Sequence, residues 1–213
     1  GIVTYTGNFT ATQTVGHGLG IRPDMVIIKN RDTAVDWVVW TKDLTSGNFL
    51  KLNDTNAQSS SSRIYQNGFT TSTFGIGANN AVNKSGDDFI AYCFNSVQGY
   101  SKFGKYVGNS NDNGAFVYLG FKPRWLMIKS TQAGMSWDII DTARSTSNVM
   151  DDYLTANTSD PEGTSSTKNI DFLSNGFKCR DDNNINFSDH TYIYMAFAEN
   201  PFVTSTGVPV PAR

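Results

Sequence analysis

Few side chains in this sequence have the type and spacing to do chemistry. It has two histidines, His17 in G-H-G-L-G and His190 in S-D-H-T, and two cysteines, Cys93 and Cys179. Neither histidine stands in an H-x-x-x-H or related spacing, so these four residues offer no zinc-ligand pattern. A Ser-His-Asp relay assembles only in space, but no G-x-S-x-G elbow leads from a strand into a helix. Residues 16–20, G-H-G-L-G, look like a glycine-rich phosphate loop but lack the following helix that would present its N-terminus to a phosphate. Glycosidases need only two carboxylates, and three acidic pairs occur: Asp87-Asp88, Asp151-Asp152 and Asp181-Asp182. Adjacent residues on a strand point to opposite faces, so none of these is a catalytic pair by itself. The residues therefore lead us to expect a non-catalytic protein with no cofactor and no metal site.

Two weaker signals point to binding. Asp181, Asp182 and Asn184, within D-D-N-N-I-N, could offer oxygen atoms to calcium, although the D-x-[DN]-x-[DN]-G spacing is missing. Aromatic side chains could stack on sugars. Trp37 and Trp137 recur at matching repeat positions, which predicts core packing, whereas Trp40 and Trp125 have no aromatic counterpart, Ile140 and Met25 standing at their matching positions, and are expected to be the exposed aromatics. The candidate ligand-binding residues are thus Trp40, Trp125, Asp181, Asp182 and Asn184.

The elements that must position these residues follow from composition and repetition. Charged residues are 17% of the chain, below the usual quarter or so. Small polar residues replace them, with 21 Asn, 20 Ser and 22 Thr, and 19 Gly besides. Thr favours strands while Asn, Ser and Gly favour turns. A net charge of −2 gives no field for nucleic acid, and no apolar run approaches the roughly 20 residues that span a bilayer. There is no signal-peptide pattern at the start, and the chain opens on Gly1 instead of Met, so we read it as a processed, excised or recombinant form.

The strongest signal is internal duplication. Y-T-G-N at 5–8 matches Y-V-G-N at 106–109, and G-L-G-I-R-P-D-M-V-I-I-K at 18–29 matches L-G-F-K-P-R-W-L-M-I-K at 119–129. Trp37 falls on Trp137, N-G-F at 67–69 on N-G-F at 175–177, and F-I-A-Y-C-F at 89–94 on Y-I-Y-M-A-F at 192–197. Each copy reads as short strands separated by turn residues, which predicts an all-β chain of two tandem antiparallel β-sandwich-like repeats. The predicted boundaries are a first repeat over 1–96, a packed linker over 97–105, a second repeat over 106–202 and an extended tail over 203–213. If the copies form one body, Tyr100 and Phe103 should be buried between them. The closing strand of each copy should be interior, Cys93 and Cys179 should be half-buried free thiols, and one or two helical turns could occur around 142–153.

Several of these phrases resemble a family of bacteriophage proteins, especially from phages of marine bacteria, with tandem modules of Y-x-G-N, G-h-G-x-x-P-x-h-h-h-x-K-N-R and W-h-h-h (h apolar). Here the second reads G-L-G-I-R-P-D-M-V-I-I-K-N-R at 18–31, and V-N-K-S-G-D-D-F-I-A-Y-C-F (82–94), S-W-D-I-I-D-T-A-R (136–144) and I-Y-M-A-F-A-E-N-P-F (193–202) also fit. The resemblance covers nearly the whole chain. It implies a virion protein of tail-fibre or host-attachment type, forming a homo-oligomer, whose partners are other virion proteins and a host-surface glycan or protein. It supplies no binding residues. The alternatives are a capsid or tail decoration protein that binds only virion chains, and a polysaccharide-binding or depolymerase module.

Overall fold

The computed structural model describes residues 1–66 and 68–201 and divides the chain into two units, Gly1–Asn95 and a second beginning at Ser96. The first unit contains β1 (Ile2–Thr6), β2 (Gln13–Gly16), β3 (Met25–Asn30), β4 (Val38–Thr41), β5 (Asn48–Lys51), β6 (Ser59–Ser60), β7 (Tyr65–Gln66), β8 (Thr73–Ile76), a single helical turn α1 (Asn80–Asn83) and β9 (Asp88–Phe94). The second contains β10 (Ser101–Val107), β11 (Phe116–Tyr118), β12 (Pro123–Ser130), β13 (Trp137–Asp141), β14 (Asp152–Thr155), β15 (Gly163–Thr164), β16 (Ile170–Leu173), β17 (Gly176–Cys179) and β18 (Thr191–Ala198).

Both units are antiparallel and have the same topology. A six-stranded sheet runs β1-β9-β3-β4-β5-β6 in one unit and β10-β18-β12-β13-β14-β15 in the other. A three-stranded sheet runs β2-β8-β7 and β11-β17-β16. The duplication read from the sequence is therefore a duplication of strand order, and the fold is all-β and sandwich-like. As expected, the closing strands β9 and β18 are interior, each hydrogen-bonded to the first and third strands of its unit.

Alternation along these strands builds one core per unit. In the first, Val26, Ile28, Val38, Trp40, Phe89 and Ala91 of the large sheet meet Val15, Tyr65, Phe74 and Ile76 of the small one. In the second, Tyr106, Leu126, Ile128, Ile140, Tyr192 and Tyr194 meet Val117, Ile170, Phe172 and Phe177. Burying a Phe or Ile side chain stabilises the fold by roughly 1.5–3 kcal/mol, so these two-sheet clusters hold each unit together.

Five sequence expectations change. Residues 101–105, expected as a linker, belong to strand β10, which pairs with β18 from Ser101 to Val107 after a tight turn at 97–101. Phe103 is buried and Tyr100 is exposed, and both rings meet Phe197 of their own unit. The two motif-bearing stretches look alike only from the tyrosine onward, which hid the strand before it. The N-G-F match also misleads: Gly176 starts β17, but in the first unit the equivalent strand starts at Thr73, with Gly68 and Phe69 in a longer loop and Asn67 outside the described residues. Phe177, opposite Val117, corresponds to Phe74, opposite Val15. Residues 142–149 form turns and bends, and among the described residues the one helical turn lies at Asn80–Asn83. Cys93 and Cys179 are fully buried instead of half-buried, and both are free. The expected tail, 203–213, lies outside the described residues.

Candidate functional site

Residues repeated in both units turn out to build the fold. Tyr5 and Tyr106, which open the Y-x-G-N motifs, donate their hydroxyls to the carbonyls of Val82 (2.6 Å) and Ile185 (2.7 Å). The next residues, Asn83 and Asn186, are fully buried. Asn83 Oδ1 accepts from the N–H groups of Asn8 and Phe9, and its Nδ2 donates to Asn8 Oδ1 and Thr10 O. Asn186 Oδ1 accepts from Asn109 N–H, and its Nδ2 donates to Asn109 Oδ1, Asn111 O and Asp181 O. The motif glycine is required by close approach: a Cβ on Gly7 would lie 2.1 Å from Lys84 O, and one on Gly108 would lie 2.2 Å from Phe187 O. The motif is a clasp between the first loop of each unit and the turn before its last strand.

The other repeated polar residues act similarly. Lys29 Nζ donates to Val35 O, and Lys129 Nζ to Ser130 O and Gln132 O, tying down the loops that follow β3 and β12. Position 87 carries Asp and its equivalent, position 190, carries His. Asp87 accepts from Asn30 and Thr33 and pairs with Lys84, which together hold its carboxyl below the usual range. His190 Nδ1 lies 3.2 Å from Ser130 Oγ. His17 is a buried brace: Nδ1 accepts from Leu19 N–H, which leaves Nε2–H for Thr70 O at 3.3 Å.

The five candidates are dispersed. Asp181 is buried and accepts from the N–H of Asn183; burial raises its pKa. Asp182 is exposed and accepts from Asn183 Nδ2. Asn184 donates to Thr167 O and Oγ1. These contacts hold a turn together, and among the described residues no three His, Cys, Asp or Glu side chains converge as a metal site would need. Trp125 is half-buried against Phe197, with ring centres 5.8 Å apart.

Trp40 is not the exposed aromatic that the sequence suggested, since only 9% of it is accessible. Phe69 stacks on it with centroids 3.6 Å apart and planes 14° from parallel. Phe69 belongs to the long β7–β8 loop, which shrinks to a two-residue turn, 174–175, in the second unit. Trp37 is also corrected: it is half-buried beside Tyr92, while Trp137 is fully buried.

The stacked pair sits at the edge of a groove of about 560 Å³, within the usual range for small-ligand clefts. The groove exists because the chain turns twice between β4 and β5, at Thr41–Leu44 and at Thr45–Asn48, the second with Gly47 at φ 78°. Hydroxyls of Thr45, Ser46 and Ser62 line one part and the Trp40 and Phe69 rings another. Tyr65 seals the floor, its hydroxyl 3.3 Å from the carbonyls of both Val26 and Val38, and burial pushes its pKa far up. Arg22 and Lys42 bring cations to the lining, Arg22 with its guanidinium 5.8 Å from the Trp40 ring centre, within cation–π range. Lys42 is paired with Asp24 at 2.8 Å.

Sequence reasoning found Trp40 but missed Arg22, Lys42 and Phe69. A usable signal was there: these positions differ between the copies. Lys122, the counterpart of Arg22, pairs with Glu199 at 2.9 Å. Leu44 is replaced by Arg144, which is engaged by Asp141 and Glu162. The second unit thus neutralises the corner that the first leaves open.

No curated protein and no solved structure matches this chain. A family model does match, over residues 1–201 and so across both units, and the chain belongs to the family described as Domain of unknown function (DUF7483).

Proposed function

We propose that this chain is a non-catalytic virion structural protein of tail-fibre or host-attachment type, in which paired β-sandwiches form a stiff scaffold and display recognition loops. The observation that carries this reading is the division of labour between repeated and unrepeated residues. The clasp, the lysines that tie down the following loops and the two-sheet cores recur in both units and are consumed by the fold. The open groove falls where the copies differ, in loops between strands, where recognition residues are commonly carried. Its cation, hydroxyls and aromatic rings suit binding of a surface glycan or protein.

Assembly with virion chains alone is the second reading. Val107 on edge strand β10, and Phe116 and Tyr118 on edge strand β11, are large apolar side chains left about half or more exposed. Such residues are common where subunits pack. Light scattering on the purified chain is expected to give a homo-oligomer, and a glycan array or host-cell adsorption assay is expected to give binding. A tight oligomer that binds no host surface would favour the assembly reading. A monomer that binds neither host surface nor other virion chains refutes both.

A further inference from the structure

The groove beside Trp40 carries a charge pattern that narrows its ligand. Of its two cations, Lys42 is neutralised by Asp24 at 2.8 Å. Arg22 is exposed, and among the described residues it has no ion-pair partner; its one recorded contact is with the Trp40 ring at 5.8 Å. Among the described residues, the groove therefore offers one cation, Arg22, outside an ion pair. A guanidinium held against an aromatic ring is preorganised, and its planar fork matches a carboxylate through two parallel hydrogen bonds. None of the groove's lining residues is Asp or Glu, so no side chain in it repels an anion.

The remainder of the lining suits a sugar. Thr45, Ser46 and Ser62 supply hydroxyls that both donate and accept. Trp40 is nearly buried under Phe69, so the half-buried Phe69 ring is the aromatic surface left for the C–H face of a pyranose. A ligand with one carboxylate per ring, many hydroxyls and an apolar face satisfies all three features.

We propose that this groove binds an acidic saccharide of the uronate class, with Arg22 on the sugar carboxylate; the inference rests on the attachment reading above and names the ligand of its open site. The second unit does not share the site. Lys122 is held by Glu199, and among the described residues nothing there corresponds to Phe69. Binding is thus one saccharide segment per chain.

Isothermal titration calorimetry of the full chain with a galacturonic acid hexamer, maltohexaose and a sulfated hexasaccharide tests this. The galacturonate hexamer is expected to bind at least 10-fold more tightly than maltohexaose, and to weaken severalfold in 0.5 M salt, as an exposed charge contact should. Arg22→Gln alters an exposed residue and is expected to keep the fold, checked by circular dichroism, while weakening the hexamer at least 10-fold. Phe69→Ala should weaken it severalfold, and Lys122→Gln should leave it unchanged. Equal binding of neutral and acidic hexamers, tighter binding of the sulfated probe, no binding of the galacturonate hexamer, or an Arg22→Gln chain that binds like the parent overturns the assignment. If the chain adsorbs to host cells equally well with and without Arg22→Gln, the groove assignment fails while the attachment reading stands. If the hexamer binds through Arg22 but no host surface is bound, the attachment reading fails and the groove assignment stands.

Discussion

Replacing Asn83 or Asn186 by Ala removes a fully buried amide that holds two chain segments about 75 residues apart in sequence. Asn83 makes a 2.8 Å contact with Asn8 N–H and donates to Asn8 Oδ1 at 3.3 Å and Thr10 O at 3.2 Å. Its 3.3 Å contact with Phe9 N–H is partly redundant, since that group also bonds Asn83 O at 3.0 Å. Three bonds are then lost outright. At a net contribution of about 1 kcal/mol each, and with the Asn8 N–H left without its acceptor, the expected cost is about 3–4 kcal/mol. That is a large share of the roughly 5–15 kcal/mol that stabilises a typical domain. Asn186→Ala loses four bonds of 2.7–3.2 Å and should cost at least as much. Urea denaturation gives the loss, and amide exchange locates it at Asn8 in one variant and Asn109 in the other. Asn83→Asp keeps the acceptor but turns a carboxylate oxygen toward Thr10 O, so it should be destabilised at neutral pH and partly recover in acid. A loss under about 1 kcal/mol in both Ala variants, with the Asn8 and Asn109 amides still protected, would refute the clasp.

Burial pushes the Cys93 thiol up to about 11 and that of Cys179 up to about 12. Ellman's reagent should label neither in the native chain at pH 8 and both in urea. The fold favours the protonated thiols, so their contribution is complete below the unfolded value of about 8.5 and is lost as pH rises through 11–12. The urea midpoint should therefore fall from pH 8 to pH 10.5, and a flat profile would contradict it. Lys168 Nζ lies 2.7 Å from the buried carboxylate of Asp138 and 3.6 Å from the Tyr153 ring centre. Burial outweighs Lys168 and Lys129 and keeps the Asp138 pKa above its usual value, so this group favours the fold when protonated and opposes it as pH rises past about 4. Lys168→Met should cost about 3–5 kcal/mol at pH 7 and visibly less at pH 5; equal melting losses at both pH values would sink that reasoning.

Much of the architecture was legible because strand and turn signals are local. The runs at 25–29 and 125–129 are strands, their Pro and Gly neighbours are boundaries, and the matched landmarks announced one topology used twice. The start of the second unit was misplaced because S-K-F-G-K shows no likeness to I-V-T-Y, although both pair with the closing strand of their unit. What pairs with a strand is a property of the sheet, and composition does not encode it. The longer β7–β8 loop defeated the N-G-F match for a related reason: a three-residue identity carries less information than the register opposite Val15 and Val117.

The candidate site was less legible. Trp40 was singled out for lacking an aromatic counterpart, which is correct, but its exposure was judged wrongly because Phe69 reaches it from 29 residues away. Likewise, D-D-N-N-I-N offered oxygens on paper, yet Asn186 is the clasp, Ile185 is core and Asn184 bonds Thr167. The sequence by itself determined the strand-rich character, the low charge, the duplication and the residues common to both copies, because periodicity and turn chemistry act over a few residues. Only the tertiary structure decided which polar groups are consumed by the fold and which cation is left open: Lys122 meets Glu199 while Arg22 meets Trp40. Burial and charge pairing depend on residues brought together from distant parts of the chain, and their partners are set by how two sheets close on one another.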